Sequence, residues 1–250
     1  MADDFFRRRL LDLATQAERT NRFVFTDFLN EAEQAEFHAS ARELPNCGVT
    51  LWGGREEADR VMLRFGSEEQ LGYTEEFPIV CVAVIPAQEK FAEQLSHRDI
   101  LGAVMHLGIE RGQTGDILTA DKSAYLFCTP AMGEYICREL TRVRHTTVTC
   151  RITDRLPETA EAHFESVTVQ AASERIDGII AKLYHISRGD CLTLFRAGKI
   201  ALNGAVTENS SAQLKTGDVV SVRGCGKFRY AGITGTTRKG NQIIELEKYI

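Results

Sequence analysis

Apolar residues near the start of the chain recur at helical spacing. From Asp4 to Ala14 one side of the predicted helix carries Phe5, Phe6, Leu10 and Leu13. A second helix is predicted over Glu31–Leu44, and it stops at Pro45 because proline cannot continue a helix. We therefore predict a mainly helical N-terminal domain over residues 1–77.

The pattern changes over residues 78–157, where β-branched runs alternate with helical spacing. The predicted elements are strand Ile79–Ile85, helix His97–Leu107, strand Ile117–Thr119, strand Ala124–Cys128, helix Pro130–Val143 and strand Thr146–Ile152. This β-α-β-β-α-β order is the ferredoxin-like, RNA-recognition-like pattern. The RNA-binding version stacks bases on exposed strand aromatics, for which Tyr125 and Phe127 are the candidates. Since one face of the hairpin must be core, burial of these rings is the more common outcome.

The last part of the chain predicts a small α+β domain over residues 175–250, after a linker and short strand over 158–174. A helix over Arg175–Tyr184 precedes a second helix that Ser187 caps and Gly198 ends. Leu202–Val206 predicts a hairpin with an Asn-Gly turn, and Val219–Val222 a strand. The fold class expected for the whole chain is α+β.

Charge separates this C-terminal segment from the rest of the chain. Residues 175–250 hold 12 Lys and Arg against 6 Asp and Glu, a net charge of +6, whereas the whole chain carries −5. Clustered cations attract phosphate backbones, which favours RNA as the partner. A solvated basic face without a ligand would give the same count, so charge alone does not decide.

Several classes of protein are disfavoured by the same sequence. No apolar run is long enough to span a bilayer, and the N-terminus lacks the order of a secretory signal. Seven scattered cysteines without a Cys-x-x-Cys pair argue against structural zinc and disulfides. We expect a cytoplasmic protein with no metal and no cofactor. His97-Arg98-Asp99 resembles a kinase catalytic loop, but the required Asn is replaced by Val104, so Asp99 is expected to cap a helix.

Residues 175–204 resemble the RNA-binding domain named after ribosomal small-subunit protein four. That family's pattern runs roughly Arg-Leu-Asp, then Ser-Arg, then Gly-x-Val-x-Val-Asn-Gly, and this chain departs from it mainly by conservative changes such as Ile176 for Leu. The resemblance implies that basic side chains of the helix pair and hairpin bind structured RNA. The residues it nominates are Arg175, Lys182, Ser187, Arg188, Arg196, Lys199 and Asn203. Glycines near Cys225 allow a kink that adds Arg223, Lys227 and Arg229.

The middle segment is similar to the central domain of the bacterial YlmH family. The likeness rests on the stretch His97–Ala103, on Leu107-Gly108-Ile109 and on Gly115-Asp116-Ile117. It implies association with ribosomal or transfer RNA on the ribosome, in quality control of obstructed large subunits. Arg98 and Arg111, beside the Gly108–Asp116 loop, are further candidates for phosphate contact.

Three functions remain open at this point. The leading one is a non-catalytic RNA-binding factor. The second is an RNA-modifying enzyme such as a pseudouridine synthase, since such enzymes often carry the same C-terminal domain, although Asp99 lacks their surrounding motif. The third is a protein–protein adaptor that acts through residues 1–77.

Overall fold

The computed structural model describes residues 2–157, 164–238 and 240–249. Part of the predicted linker, residues 158–163, lies outside the described residues. The chain divides into two compact units, Met1–Glu161 (unit 1) and Ala162–Ile250 (unit 2). The predicted segments 1–77 and 78–157 thus belong to the same unit.

The N-terminal part of unit 1 combines helices with a small antiparallel sheet. Its elements are α1 (Ala2–Thr20), β1 (Val24–Phe25), α2 (Glu31–Ser40), β2 (Val49–Trp52), β3 (Met62–Phe65) and α3 (Glu68–Leu71). The strands pair in the order β1-β3-β2. The two long helices agree with the sequence pattern, but this sheet was missed because strands of two to four residues leave little periodicity. Phe5, which we expected to face inward, is 70% exposed.

The second part of unit 1 is a five-stranded antiparallel sheet with two helices. Its elements are β4 (Val80–Pro86), α4 (His97–His106), β5 (Thr114–Ala120), β6 (Ser123–Cys128), α5 (Pro130–Glu139), β7 (Arg142–Val143) and β8 (Thr146–Thr153). The strand order is β5-β6-β4-β8-β7. The helix predicted to reach Val143 ends at Glu139, and the two-residue strand β7 follows it. Val82, Leu126, Ile100 and Ile136 belong to one core that includes residues of both helices and of the sheet.

The other face of this sheet is partly covered by the Gly53-Gly54 turn. Phe127 lies on that face and is only 3% exposed. Gly54 has φ +93°, and a Cβ built on it would lie 2.4 Å from Cδ1 of Phe127. Only glycine fits such a position, because the backbone is left-handed and the ring is in contact. Phe127 is therefore not open to a stacking base, whereas Tyr125 is half-buried.

A buried carboxylate joins the two parts of unit 1. Asp116 accepts the backbone N–H groups of Asp59 and Arg60 at 2.9 and 3.0 Å, and Nη2 of Arg55 lies 3.1 Å away. Burial raises the pKa of the Asp116 carboxyl, although these donors oppose the shift. The Arg60 guanidinium also donates to the Phe28 carbonyl at 2.8 Å. These bonds hold the segment before β3 against the start of β5.

Unit 2 is a six-stranded antiparallel sheet covered on one face by two helices. Its elements are β9 (Phe164–Ala171), α6 (Ile176–Leu183), α7 (Arg188–Arg196), β10 (Ile200–Leu202), β11 (Ala205–Val206), β12 (Val219–Val222), β13 (Gly226–Thr236) and β14 (Gln242–Tyr249). The order is β11-β10-β12-β13-β14-β9. Ile180 and Phe195 of the helices share a core with Phe228 and Leu246 of the sheet. The short strand predicted within 158–174 is the eight-residue edge strand β9.

Replacing Gly54 with alanine should destabilise unit 1 by about 2–4 kcal/mol, because backbone strain adds to the contact with Phe127. Gly72→Ala is the matched control. Gly72 has φ +75° but no neighbouring atom within 4 Å of an added Cβ, so it should cost only about 1 kcal/mol. Urea unfolding followed by the fluorescence of Trp52, the one tryptophan, measures both. Equal losses of unfolding free energy in the Gly54 and Gly72 variants would show that the turn does not press on Phe127.

Candidate nucleic-acid interface

A tight turn between α6 and α7 sets the geometry of the basic surface. His185 is left-handed at φ +53°, and the N–H of Ile186 donates to the Ala181 carbonyl at 3.1 Å. This is a Schellman-type ending, which reverses the chain directly after the helix. The hydroxyl of Ser187 accepts the N–H of Asp190 at 3.1 Å and caps α7. The first residues of α7 thus return toward the last turn of α6.

The reversal creates a groove of about 570 Å³ on unit 2. Three of the predicted RNA-binding cations line it, namely Arg175, Lys182 and Arg188. Asp177 is the one carboxylate among the lining residues, so the fixed charges there sum to +2. The sequence therefore predicted three cations that the fold does bring together.

Arg175 is fixed by an ion pair with Asp177. Its Nε and Nη2 donate to the two carboxylate oxygens at 3.0 and 2.9 Å, and Asp177 is only 7% exposed. Burial raises the pKa of the Asp177 carboxyl, but the bonds from Arg175 and from the Gly178 N–H outweigh that effect. The pKa consequently lies below the ordinary aspartate value, and the pair stays charged at neutral pH.

Lys182 and Arg188 are exposed. In the part of the chain that the structure describes, neither makes an ion pair. The charge of Arg188 adds to the causes that lower the pKa of Asp177, after the hydrogen bonds and charge of Arg175. Among the described residues, neither cation has an ion-pair partner that an anion in the groove would have to displace.

A second group of predicted cations lies at the other end of α7. Arg196 occupies the last turn of that helix, and the N–H of Arg223 donates to the Lys199 carbonyl at 2.9 Å. All three side chains are exposed. None of them lines the groove, so the structure separates them from the first group.

A third pair of cations extends from β13. Lys227 and Arg229 alternate with the buried Phe228, so they lie on the sheet face that the helices leave open. Nζ of Lys227 stands 4.5 Å from the ring centroid of Tyr249. Arg229 pairs with Glu247 at 3.3 Å. These cations already have partners within unit 2.

Ser187 and Asn203 have roles in the fold. Ser187 caps α7, as described above. Nδ2 of Asn203 donates to Asp218 at 2.9 Å, while its Oδ1 accepts the Val219 N–H at 2.8 Å. Both ends of that amide are thus used to fix the Asn-Gly turn against β12.

The two candidates in unit 1 differ from each other. Arg98 is exposed in the first turn of α4. Arg111 is half-buried, and its Nη1 donates to the carbonyls of Thr114 and Gly115 at 3.0 Å each. Burial, followed by repulsion from Arg60, lowers the pKa of Arg111 to about 10. The guanidinium of Arg111 therefore stabilises the loop before β5.

The sequence predicts that Asp99 caps α4; the N-cap residue is Ser96, and Asp99 is its partner as the third residue of the helix. Its carboxylate accepts the backbone N–H of Ser96 at 3.0 Å, and the Ser96 hydroxyl accepts the Asp99 N–H at 3.3 Å. This reciprocal pair is a capping box. The lowered pKa of Asp99 follows from the same bonds to Ser96.

Sequence reasoning missed several residues of the groove. Gln170 from β9, His185 from the turn and Asn241 before β14 also line it. Gln170 and Asn241 reach the groove only through the pairing of β9 with β14, which no local pattern indicated. Leu192, an apolar residue of α7, is 36% exposed.

Neither a membrane-spanning helix nor a metal-binding cluster occurs among the described residues. No helix among the described residues combines the length and the apolar content needed to cross a membrane. No group of three or more His, Cys, Asp or Glu side chains in those same ranges is placed to hold a metal ion.

Known proteins match the chain over most of its length. A family model described as "YlmH, N-terminal" matches residues 4–70, and one described as "Putative RNA-binding domain in YlmH" matches residues 73–155. These matches support membership of the YlmH family. The "Ribosome-associated protein quality control protein P2" of Bacillus subtilis (strain 168) is 26% identical over 232 residues, covering 91% of this chain and 88% of that protein.

A solved structure, "Cell division protein ylmH from Streptococcus pneumoniae", is also similar. It shares 21% identity with a TM-score of 0.47, and the match covers 61% of this chain and 92% of that one. The second YlmH model ends at residue 155, before unit 2 begins. The assignment of residues 175–250 to the ribosomal-protein-S-four type therefore stays a prediction.

Asp177→Asn should lower the stability of unit 2 by about 1–2 kcal/mol at neutral pH, because hydrogen bonds to a charged, buried group are lost. A carboxyl whose pKa is lowered by folding stabilises the fold above its unfolded pKa, about 3.9 for Asp. That contribution disappears as the pH falls through the lower folded pKa. The difference between the variant and the parent should therefore shrink below about pH 4.

Hydrogen exchange of α6 amides across this pH range measures the effect. Glu208→Gln, at an exposed position of the same unit, is the control and should match the parent. A constant difference from pH 7 to pH 3 would contradict the charged pair.

Proposed function

We propose that this protein is a non-catalytic RNA-binding factor of the cytoplasm. It associates with ribosomal RNA, transfer RNA or both on the ribosome, in quality control of obstructed large subunits. The observation that carries the proposal is the groove of unit 2, where Arg175, Lys182 and Arg188 face one open space.

Charge and availability in that groove fit a phosphate backbone. Lys182 and Arg188 present exposed cations, while Arg175 is held in place by Asp177. A pre-positioned cation loses little side-chain freedom on binding, which favours affinity. Polar side chains such as Asn241 add hydrogen-bonding groups of the kind that also contact phosphate and sugar oxygens.

The comparisons support the ribosomal setting of the proposal. The relative from Bacillus subtilis is named for ribosome-associated protein quality control. The family model described as "Putative RNA-binding domain in YlmH" matches residues 73–155, which lie in unit 1. Arg196, Lys199 and Arg223 would extend the contact along α7. Arg98 could add a contact from unit 1, whereas Arg111 already serves the fold.

Replacing Lys182 and Arg188 together with glutamine should weaken RNA binding by roughly tenfold to a hundredfold at moderate salt, since each phosphate contact contributes about 1 kcal/mol or more. The slope of log affinity against log salt should fall by about 1.5–2. Fluorescence anisotropy with bulk transfer RNA and with large-subunit ribosomal RNA fragments measures both quantities.

Lys215→Gln is the matched control, because Lys215 is exposed in the same unit but does not line the groove. It should leave the salt slope within about 1 of the parent value. Adding Lys199→Gln to the double variant tests the second group of cations, at the other end of α7. This substitution should lower the salt slope further. Parent-like affinity and slope in the double variant would contradict the proposed groove.

We expect no isotope release from uridine-labelled transfer or ribosomal RNA, because Asp99 is bonded to Ser96 as a helix cap. Release that Asp99→Ala abolishes would contradict the non-catalytic proposal. Circular dichroism of the variant checks the fold, since loss of the cap costs about 1 kcal/mol.

A further inference from the structure

The face of the β5-β6-β4-β8-β7 sheet that is partly covered by the Gly53-Gly54 turn carries a second cleft, in unit 1. Cys81 pairs with Phe127 on one side and with Thr153 on the other, and all three line a depression of about 360 Å³. After β8 the chain continues past this face, so that Leu156 lines the cleft as well. That volume falls within the range of ligand-binding sites.

The walls of the cleft are aromatic and aliphatic. Trp52, the last residue of β2, is 39% exposed, and Phe77 and Ile79 line the same space. Burial raises the pKa of the Cys81 thiol to about 12, so the floor is neutral at physiological pH. A half-exposed tryptophan beside other apolar side chains is typical of the anchor points of protein interfaces.

The charged residues that line the cleft are both acidic. Glu76 and Asp154 are exposed at its edge, and no Lys or Arg is among the lining residues. Unit 1 as a whole, residues 1–161, holds 18 Lys and Arg against 27 Asp and Glu, a net charge of −9. The two carboxylates at the edge of the cleft would attract a cationic segment.

We propose that this acidic cleft, formed by Trp52, Glu76, Phe77, Cys81, Phe127 and Asp154, binds a short basic segment of a partner protein. The segment places an aromatic or aliphatic side chain between Trp52 and Phe77. A neighbouring Lys or Arg of the segment pairs with Glu76 or Asp154. The site lies in unit 1 and acts independently of RNA binding by unit 2.

The covering of Phe127 decides between peptide and RNA on this face. An RNA-recognition domain uses the corresponding strand aromatics as open platforms for bases, but here the Gly54 turn contacts the Phe127 ring. The depression left beside the turn is lined by the Trp52 and Phe77 side chains and bordered by the carboxylates of Glu76 and Asp154. Those features match a peptide side chain with a cationic neighbour.

The single tryptophan makes the cleft directly observable. The probe is a capped peptide that repeats Arg-Phe-Lys-Val, which contains no tryptophan, added to the full-length protein. We expect saturable binding with a shift of Trp52 emission to shorter wavelength. A twin with Glu in place of Arg and Lys, and a twin with Ser in place of Phe and Val, should each leave the emission unchanged.

Glu76→Gln combined with Asp154→Asn should weaken binding of the basic peptide about fivefold or more, since two exposed charge pairs are lost. Both positions are exposed, so the fold should be retained. Glu89→Gln with Asp121→Asn makes the same change of charge elsewhere in unit 1 and should leave affinity unchanged.

Three results would overturn the proposal. They are absence of binding by the basic peptide, equal binding by the acidic twin, and unchanged affinity in the Glu76 and Asp154 variant. A single-stranded RNA that shifts Trp52 emission while the basic peptide does not would assign the cleft to RNA instead. These tests do not involve the groove of unit 2. If they overturn the peptide proposal, the RNA-binding proposal is still tested separately by the Lys182 and Arg188 variants.

Discussion

The basic groove depends on one ion pair, between Arg175 and Asp177. Asp177 is buried, and a buried carboxylate is stable only when its oxygens are bonded. Arg175 and the Gly178 N–H provide those bonds, while the Asp177 carbonyl accepts the thiol of Cys191 from α7 at 3.6 Å. The pair fixes Arg175, the first groove cation in sequence, at the start of α6. The link from α6 to α7 is the separate bond from the Cys191 thiol to the Asp177 backbone carbonyl.

Unit 1 uses a buried carboxylate in the same way but with a different outcome. Asp116 holds the segment that contains Gly54 against β5, and this placement puts the turn on Phe127. The sheet face that serves as a base platform in RNA-recognition domains is here partly covered by that turn, and the acidic cleft lies beside it. The net charges fit the proposed RNA contact at the basic groove of unit 2 and the proposed peptide contact at the acidic cleft of unit 1.

Local chemistry made much of the fold predictable. The cap at Ser187, the turn at Asn203 and the strand before Pro86 all follow from residue types at short range. The sheet of β1, β2 and β3 did not, because short strands gain their stability from the Leu63 and Phe65 contacts in the folded core rather than from a pattern.

The candidate site was predictable only in part, for a related reason. The sequence shows which residues carry charge, but not which donors the fold already uses. Arg111 and Asn203, both predicted to bind RNA, donate hydrogen bonds within the chain, and their contact with RNA stays a prediction. Lys182 and Arg188 make no ion pair among the described residues, because they lie on the outer surface of the helix pair. Gln170 lines the same groove only because β9 pairs with β14.

Crosslinking of the intact protein to RNA within ribosomal large subunits, with mass spectrometry of the linked peptides, tests the central claim most directly. The account predicts that linked peptides come from α6, α7 and the turn between them, around Lys182, His185 and Arg188. Linked peptides concentrated instead at Trp52 and Tyr125 of unit 1, with none from α6 or α7, would contradict it.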